Sequence, residues 1–153
     1  MKKIAITLFL VLGSLTIQAQ DLTWHTDINK AMEISKKSKK PLFLFFTGSD
    51  WCGWCIRLQK EVFKTPEFEK WAKKNVVLVE LDFPRNKPLS PALQKQNSEL
   101  QQTFAVQGYP TVWFVNANKN GGKINLEKLG SSGYLAGGPT AWIPNANQIL
   151  GIK

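Results

Sequence analysis

The sequence predicts an α/β fold in which helices cover both faces of a central mixed sheet. Two apolar runs, residues 42–46 without a break and residues 76–81 interrupted by Glu80, are typical of strands buried on both faces, and a helical pattern lies between them. Because strands joined through a helix run parallel, these two are expected to form a parallel pair. A third apolar run, residues 111–115, is followed by an Asn- and Gly-rich turn, which predicts an antiparallel hairpin.

Residues 1–20 are typical of a secretory signal peptide and stand apart from the fold. A basic Lys-Lys pair is followed by a mostly apolar stretch, residues 4–17, and by the small residue Ala19. That stretch has 14 residues, whereas a membrane-spanning helix needs about 20. We therefore expect cleavage near Ala19 or Gln20, a single domain over residues 21–153, no stable membrane insertion, and an exported protein that is periplasmic or secreted.

The first half of the domain is predicted to alternate helix, strand and helix. Residues 26–27 offer an N-cap for a helix with one apolar face, and Pro41 ends it. The strand at residues 42–46 leads into a loop, residues 47–50. A second helix begins at a cysteine motif and runs towards Phe63.

The second half is predicted from its caps and turns. A Thr-Pro-Glu sequence at residues 65–67 and a Ser-Pro pair at residues 90–91 each start a helix, the latter reaching about Val106. The second strand of the hairpin covers residues 123–129. A final helix either starts at Pro144 or starts near residue 139 and bends at Pro144, because an internal proline removes a backbone hydrogen bond.

The basic charge of the chain does not indicate a nucleic-acid partner. The formal net charge of +9 falls to +7 without the two lysines of the expected signal peptide. The one dense cluster, Lys36, Lys37, Lys39 and Lys40, has no aromatic residues between the lysines. Such a cluster is typical of a solvated helix end.

The two cysteines of the chain lie in the sequence Trp51-Cys52-Gly53-Trp54-Cys55. A structural zinc site needs about four ligands, but the chain offers two cysteines and one histidine. A c-type haem site requires a histidine directly after the second cysteine, and that residue is an isoleucine. A purely structural disulfide over so short a loop would constrain the unfolded chain little. We therefore interpret the motif as a redox-active pair and expect neither a metal nor another cofactor.

The spacing of the two cysteines suits this chemistry. At a strand-to-helix junction, Cys52 lies at the helix N-terminus, where free N–H groups and the helix dipole favour a thiolate. Cys55 lies one turn further on, close enough to attack a mixed disulfide formed at Cys52. Gly53 keeps the tight segment between them permissive.

A second motif, Gly-Tyr-Pro-Thr at residues 108–111, precedes the third strand. Together with Phe-Thr-Gly-Ser-x-Trp-Cys-Gly-Trp-Cys at residues 46–55, it resembles the thioredoxin superfamily, and more narrowly its exported single-domain members. The resemblance covers residues 24–138. It implies a thioredoxin fold, a cis Pro110 that faces the cysteine pair, and a backbone at Tyr109 that pairs with an extended substrate segment.

The resemblance also indicates substrate-binding residues and a proton acceptor. The candidate substrate-binding residues are Trp51, Gly53, Trp54, Tyr109 and Pro110. Thioredoxins proper have Gly-Pro between the cysteines, so the tryptophan in place of that proline either widens an apolar docking patch or simply packs.

A further departure concerns the proton of the resolving cysteine. The family places a buried aspartate six residues before the first cysteine, where this chain has Phe46. Glu80, on the neighbouring strand, is the best substitute as proton acceptor, because a buried carboxyl group has a raised pKa. Alternatively, Glu80 faces solvent at a strand end. Asp50 is expected to be a loop acid whose charge opposes thiolate formation.

We expect a thiol–disulfide oxidoreductase that acts on cysteine-containing protein substrates, with Cys52 as the nucleophile and Cys55 as the resolving cysteine. A separate thiol or disulfide partner would exchange electrons with the pair, and we favour a reductase that works as a monomer. The alternatives are an oxidase or isomerase of the same fold, although an isomerase usually needs a dimerisation domain. A non-catalytic binding or chaperone-like module is a third possibility, although the long insertions expected of one are missing.

Overall fold

The computed structural model describes residues 22–120 and 123–153, so the signal peptide expected over residues 1–20 lies outside the described part. The helices are α1 (Ile28–Ser38), α2 (Gly53–Leu58), α3 (Pro66–Asn75), α4 (Pro91–Thr103) and α5 (Pro139–Leu150). The strands are β1 (Trp24–His25), β2 (Leu42–Thr47), β3 (Val77–Asp82), β4 (Thr111–Asn120) and β5 (Lys123–Ser132). None of the helices in these described ranges is long and apolar enough to cross a bilayer.

The strands form one five-stranded mixed sheet in the order β1-β3-β2-β4-β5. β2 and β3 are parallel, and β4 pairs with β5 as an antiparallel hairpin. β4 also lies antiparallel to β2, which sets the hairpin directly beside the parallel strands. The predicted α/β fold with its mixed sheet is therefore confirmed. β1, which pairs with β3 at the far edge, is not predicted, because two residues carry no periodic pattern.

Helices cover both faces of the sheet, so the core has two parts. Along β2, Phe43 and Phe45 point to the face covered by α2, α3 and α5, and Cys52 and Cys55 belong to the same buried cluster. We call this side the cysteine face. The other apolar side chains of β2 pack on the opposite face, with α1 and α4; they are Leu42, Leu44 and Phe46. This strict alternation is the two-residue period of a strand buried on both sides.

Three predicted helix starts carry side-chain caps. The carboxylate of Asp27 accepts the N–H of Asn29 at 2.8 Å, which begins α1. The hydroxyls of Thr65 and Ser90 accept N–H groups of the first turns of α3 and α4, at 3.3 and 3.4 Å. Each cap satisfies a donor that the helix itself leaves without a partner.

The C-terminal helix starts before Pro144, unlike the first of the two alternatives that the sequence allows. α5 begins at Pro139 and runs through Pro144, so a helix that starts at Pro144 is wrong. The reason lies in the burial of Trp142, which is fully buried and contacts the rings of Phe43 and Phe68, both at 5.7 Å. Fully burying so large a side chain requires helix before the proline, and this outweighs the hydrogen bond that Pro144 cannot make.

Candidate active site

The two cysteines form a disulfide where β2 gives way to α2. The Cα atoms of Cys52 and Cys55 lie 5.2 Å apart. Cys52 is the N-cap of α2: its Sγ accepts the N–H of Cys55 at 3.2 Å, and its own N–H donates to the carbonyl of Gly48 at 2.9 Å. Cys52 retains 6% of its surface exposed and Cys55 retains none. Cys52 is therefore the more accessible of the two cysteines.

The helix that carries the disulfide is extended by a π-helical segment, Gln59–Phe63. Leu58, Val62 and Phe63 face inwards and are buried against the sheet. Isolated π-helical turns are frequent at functional sites. Here the segment lengthens a short α2 and anchors it in the core below the cysteines.

Trp51 is held on three sides. Its Nε1–H donates to the carbonyl of Phe83 at 2.8 Å. The guanidinium of Arg85 lies 3.9 Å from the centre of its ring, and the ring of Tyr109 meets it edge-on at 5.8 Å. These contacts fix the indole beside the disulfide, so Trp51 forms a rigid wall of the site.

Gly48 makes this placement of Trp51 possible. A Cβ on residue 48 would lie 2.6 Å from Nε1 of Trp51, closer than real carbon atoms approach. At Gly53, by contrast, a Cβ would meet no atom within 4 Å, and the backbone has no positive φ. The helix therefore does not need the conformational freedom expected of Gly53, and the space above that residue is open.

Asp50 has backbone partners that the sequence does not indicate. Its carboxylate accepts the N–H groups of Arg85 and Asn86, the nearest contacts being 3.0 and 2.6 Å. These hydrogen bonds lower the pKa of Asp50 below its ordinary value. Asp50 is thus a loop acid, as expected, and it ties the cysteine loop to the segment that follows β3.

Trp54 is exposed, with 55% of its surface accessible, and the neighbouring Ile56 is 49% exposed. The indole leans against the ring of Tyr134 at 5.0 Å, and the guanidinium of Arg57 lies 5.4 Å from its centre. Trp54 therefore packs against Tyr134 and Arg57 while more than half of its surface stays accessible. An apolar surface therefore adjoins the disulfide.

A polar network supports that surface from the side. Arg57 donates to Glu61 at 2.7 Å, and the hydroxyl of Tyr134 donates to the other oxygen of Glu61 at 2.7 Å. The bond from Tyr134, followed by that from Arg57, lowers the pKa of Glu61. The network fixes the rings and the cation that flank Trp54.

The Tyr109–Pro110 peptide bond is cis. Tyr109 contacts Phe83 at 5.3 Å between ring centres as well as Trp51, and burial raises the pKa of its phenol. The carbonyl oxygen of Pro110 lies 3.4 Å from where a Cβ on Gly133 would stand. The segment therefore lies between the loop after β3 and the loop after β5.

Glu80 is an interior residue of β3 and lies in register with Phe45, so its half-buried side chain is on the cysteine face. Burial raises the pKa of Glu80 and the charge of Asp82 raises it further, whereas Lys87 lowers it. The alternative of a solvent-facing residue at the strand end is therefore wrong.

Phe46 does not face the cysteines. It packs in the opposite core, 6.1 Å from the ring of Phe104. Phe45 is the β2 side chain that shares a cluster with the disulfide. The expectation that Phe46 stands in the place of a buried aspartate near the cysteines is wrong, because alternation along the strand turns residue 46 away.

Sequence reasoning misses Arg57, Glu61, Arg85 and Tyr134. Arg57 and Glu61 are four residues apart on a helix, a spacing that favours an ion pair. Nothing local indicates Arg85 or Tyr134, because each reaches the site through a loop whose path depends on the tertiary fold.

Comparisons with known proteins agree with this geometry. A family model described as a thioredoxin-like domain matches residues 28–128. A protein of Chlamydia pneumoniae named disulfide bond reductase DsbH is 36% identical over 121 residues, which is 78% of this chain and 72% of that protein. Thioredoxin-related protein DsbJ of the same organism is 30% identical over 141 residues, which is 88% of this chain but only 39% of that protein.

Solved structures give the same result. A structure titled DsbH oxidoreductase superposes with a TM-score of 0.78 at 30% identity and covers 96% of both chains. A thioredoxin from Thermus thermophilus superposes with a TM-score of 0.61 at 16% identity, over 86% of this chain and 88% of that one. The second comparison concerns the fold alone.

Proposed function

This chain belongs to the thioredoxin-like domain family and is a thiol–disulfide oxidoreductase; we propose that it reduces protein disulfides, with Cys52 as the nucleophile and Cys55 as the resolving cysteine. The observation that carries this assignment is the disulfide at the start of α2, where Cys52 is the N-cap and keeps the only exposure of the pair. The name of the DsbH relative, a disulfide bond reductase, supports the direction.

The proposed reaction has two exchange steps. The thiolate of reduced Cys52 attacks one sulfur of a substrate disulfide, forming a mixed disulfide and releasing the other substrate sulfur as a thiolate. Cys55, deprotonated, then attacks Sγ of Cys52, which frees the second substrate thiolate and closes the Cys52–Cys55 disulfide. Both substrate sulfurs take up protons, and a separate dithiol donor restores the enzyme with two electrons and two protons.

The helix N-terminus affects the equilibrium of this reaction more than its rate. If the pKa of Cys52 falls from about 8.5 to about 7, the thiolate fraction at neutral pH rises about fifteenfold. The lower basicity weakens the nucleophile about fivefold, so attack gains only about threefold. Stabilising the thiolate also stabilises the reduced protein and makes Cys52 a better leaving group.

A redox titration together with an insulin assay tests the direction. We expect the protein to accelerate insulin reduction by dithiothreitol and to equilibrate with glutathione near the thioredoxin potential of about −270 mV. A potential near about −120 mV would instead indicate an oxidase. Failure to accelerate insulin reduction would contradict a reductase.

We propose Glu80 as the proton acceptor for Cys55. It is the carboxylate of β3 whose register partner, Phe45, belongs to the buried cluster that contains both cysteines. A carboxyl group with a raised pKa can both accept and return a proton near neutral pH.

Glu80→Gln should stabilise the protein at neutral pH and slow its turnover roughly tenfold or more. Burial raises the pKa of Glu80, so the folded protein holds this proton at a higher pH than the unfolded chain does. Stability is therefore lost as pH rises from the unfolded pKa through the folded one. Urea unfolding at several pH values should show that Glu80→Gln is more stable than wild type across this pH range. Glu33→Gln makes the same change at an exposed site on α1 and should show no such gain in stability. If the stability of Glu80→Gln depended on pH in the same way as that of wild type, the assignment of Glu80 as the proton acceptor would be refuted.

We propose that substrates dock across Trp51, Trp54, Tyr109 and the backbone around Pro110, above the open space at Gly53. Trp54 offers the largest exposed apolar surface there, while Trp51 is fixed by its contacts. An extended substrate segment could pair with the backbone of Tyr109 in the manner of an added strand.

Trp54→Ala should lower kcat/KM for a protein disulfide about tenfold through KM. Because the indole is 55% exposed, the free energy of unfolding should change by less than about 1 kcal/mol. Ile152→Ala, which removes a 37% exposed apolar side chain near the C-terminus, serves as the control and should leave KM unchanged. An unchanged KM in Trp54→Ala would exclude this residue from the docking surface.

We further propose that residues 1–20 direct export to the periplasm or outside the cell and that the mature chain works as a monomer with cysteine-containing protein substrates and a thiol donor. The basic start and the apolar stretch of residues 4–17 support export. Mass spectrometry of the secreted or periplasmic protein would show an N-terminus near residue 20 or 21.

A further inference from the structure

Among the side chains that the structure describes, those of residues 22–118 and 125–153, Thr47 carries the one buried oxygen or nitrogen that makes no hydrogen bond. The residue is fully buried at the end of β2, although the sequence places it in a loop. Buried hydroxyls are nearly always hydrogen-bonded, because an unpaired one costs stability. The structure holds the oxidised protein, so the hydroxyl lacks a partner in the disulfide state.

The sheet places the side chain of Thr47 on the cysteine face. Phe43 and Phe45 pack in the cluster that contains both cysteines, and the next residue of the same parity is Thr47. Continuing the register between β2 and β4 by one step beyond Phe46 and Thr111 brings Thr47 opposite Pro110.

The backbone links Thr47 to the cysteine turn as well. The next residue, Gly48, accepts the N–H of Cys52 at 2.9 Å. Asp82, the register partner of Thr47, does not accept from its hydroxyl, which makes no hydrogen bond. The two carboxylate oxygens of Asp82 instead bind the N–H and the hydroxyl of Ser49 at 2.8 and 2.5 Å.

We propose that the Thr47 hydroxyl donates a hydrogen bond to Sγ of Cys55 in the reduced protein and thereby stabilises the buried sulfur as a thiolate. This rests on the proposed function of the cysteine pair. Reduction breaks the S–S bond: two glutathione molecules give up two electrons and two protons and become one glutathione disulfide. Cys55, fully buried, then needs a donor when it ionises. This role differs from that proposed for Glu80, which accepts the proton of Cys55, because the hydroxyl of Thr47 would donate to the sulfur once that proton has left.

Thr47→Val removes the hydroxyl and keeps the branched shape. In the oxidised protein it removes an unpaired polar group, so the urea midpoint should rise. In the reduced protein it removes a hydrogen bond, so the midpoint should fall. The equilibrium with glutathione should move about tenfold towards the disulfide, which is a potential about 30 mV more negative.

Thr47→Ser, which retains the hydroxyl, is the matched control and should lie within about twofold of wild type in the glutathione equilibrium, since its donor is preserved. If Thr47→Val does not fold, Thr47→Ala against Thr47→Ser gives the same comparison. In a Cys52→Ala background, thiolate absorbance at 240 nm should report a higher pKa for Cys55 when the hydroxyl is absent. Equal midpoint shifts in both redox states, or an unchanged glutathione equilibrium, would overturn the proposal. Neither measurement uses insulin, so a protein that fails to reduce insulin would refute the reductase assignment separately.

Discussion

Replacing Cys55 by serine should abolish turnover and leave substrate proteins covalently attached to Cys52. The first exchange step needs only the sulfur of Cys52, which keeps 6% exposure at the helix N-terminus. The second step needs the sulfur of Cys55, and a serine hydroxyl cannot attack a disulfide. Insulin reduction should fall to the rate of the uncatalysed control, while mixed disulfides accumulate and dissolve again on addition of dithiothreitol.

Cys52→Ser is the matched control for this trapping experiment. It should be equally inactive but form no covalent complexes, because the remaining sulfur at Cys55 has no exposed surface. Stability should be compared with that of reduced wild type, since both variants lack the disulfide. Complexes in equal amounts from the two variants would contradict the assignment of Cys52 as the nucleophile.

Gly48→Ala should disturb both the stability and the activity of the protein. The added Cβ would lie 2.6 Å from Nε1 of Trp51, and the ring cannot move away freely because Phe83 and Arg85 hold it. Overpacking of this kind costs about 1–3 kcal/mol of unfolding free energy. Displacement of Trp51 by about 1 Å should lower kcat/KM by roughly tenfold to a hundredfold. Urea unfolding and the insulin assay measure the two effects.

Gly53→Ala provides the stability control for Gly48→Ala. It adds the same methyl group two residues beyond Trp51, at a position where no atom lies within 4 Å. The free energy of unfolding should stay unchanged or rise by less than about 1 kcal/mol, because alanine is the better helix former. A Gly48→Ala protein as stable as Gly53→Ala would show that Trp51 is not confined as described.

Much of the fold follows from local patterns that tertiary contacts reinforce. The apolar runs of β2 and β3 predict strands buried on both faces, and the caps at Asp27, Thr65 and Ser90 predict three helix starts. Pro144 is ambiguous because local propensity opposes a helix there, and only the burial of Trp142 decides the outcome.

The active site could be predicted where its residues lie in one of two short motifs, the cysteine motif and the Gly-Tyr-Pro-Thr segment at residues 108–111. Cys52, Gly53, Trp54 and Cys55 occupy one turn of helix, and that turn can be placed from their spacing alone. The sequence does not show which residues of β2 lie on the cysteine face, because the loop between β2 and Cys52 determines on which side of the sheet Phe45 and Phe46 lie. Arg85 and Tyr134, which contact Trp51 and Trp54, reach the site from separate loops and have no local signal.

The most direct test of the central claim is the reactivity of the two reduced cysteines as a function of pH. Fully reduced protein is treated with iodoacetamide over a pH series, and the labelled cysteine is identified by peptide mass spectrometry. We expect Cys52 to react first, with an apparent pKa clearly below the ordinary value of about 8.5, and Cys55 to be protected in the folded protein. An ordinary pKa at Cys52, or faster labelling of Cys55, would contradict it.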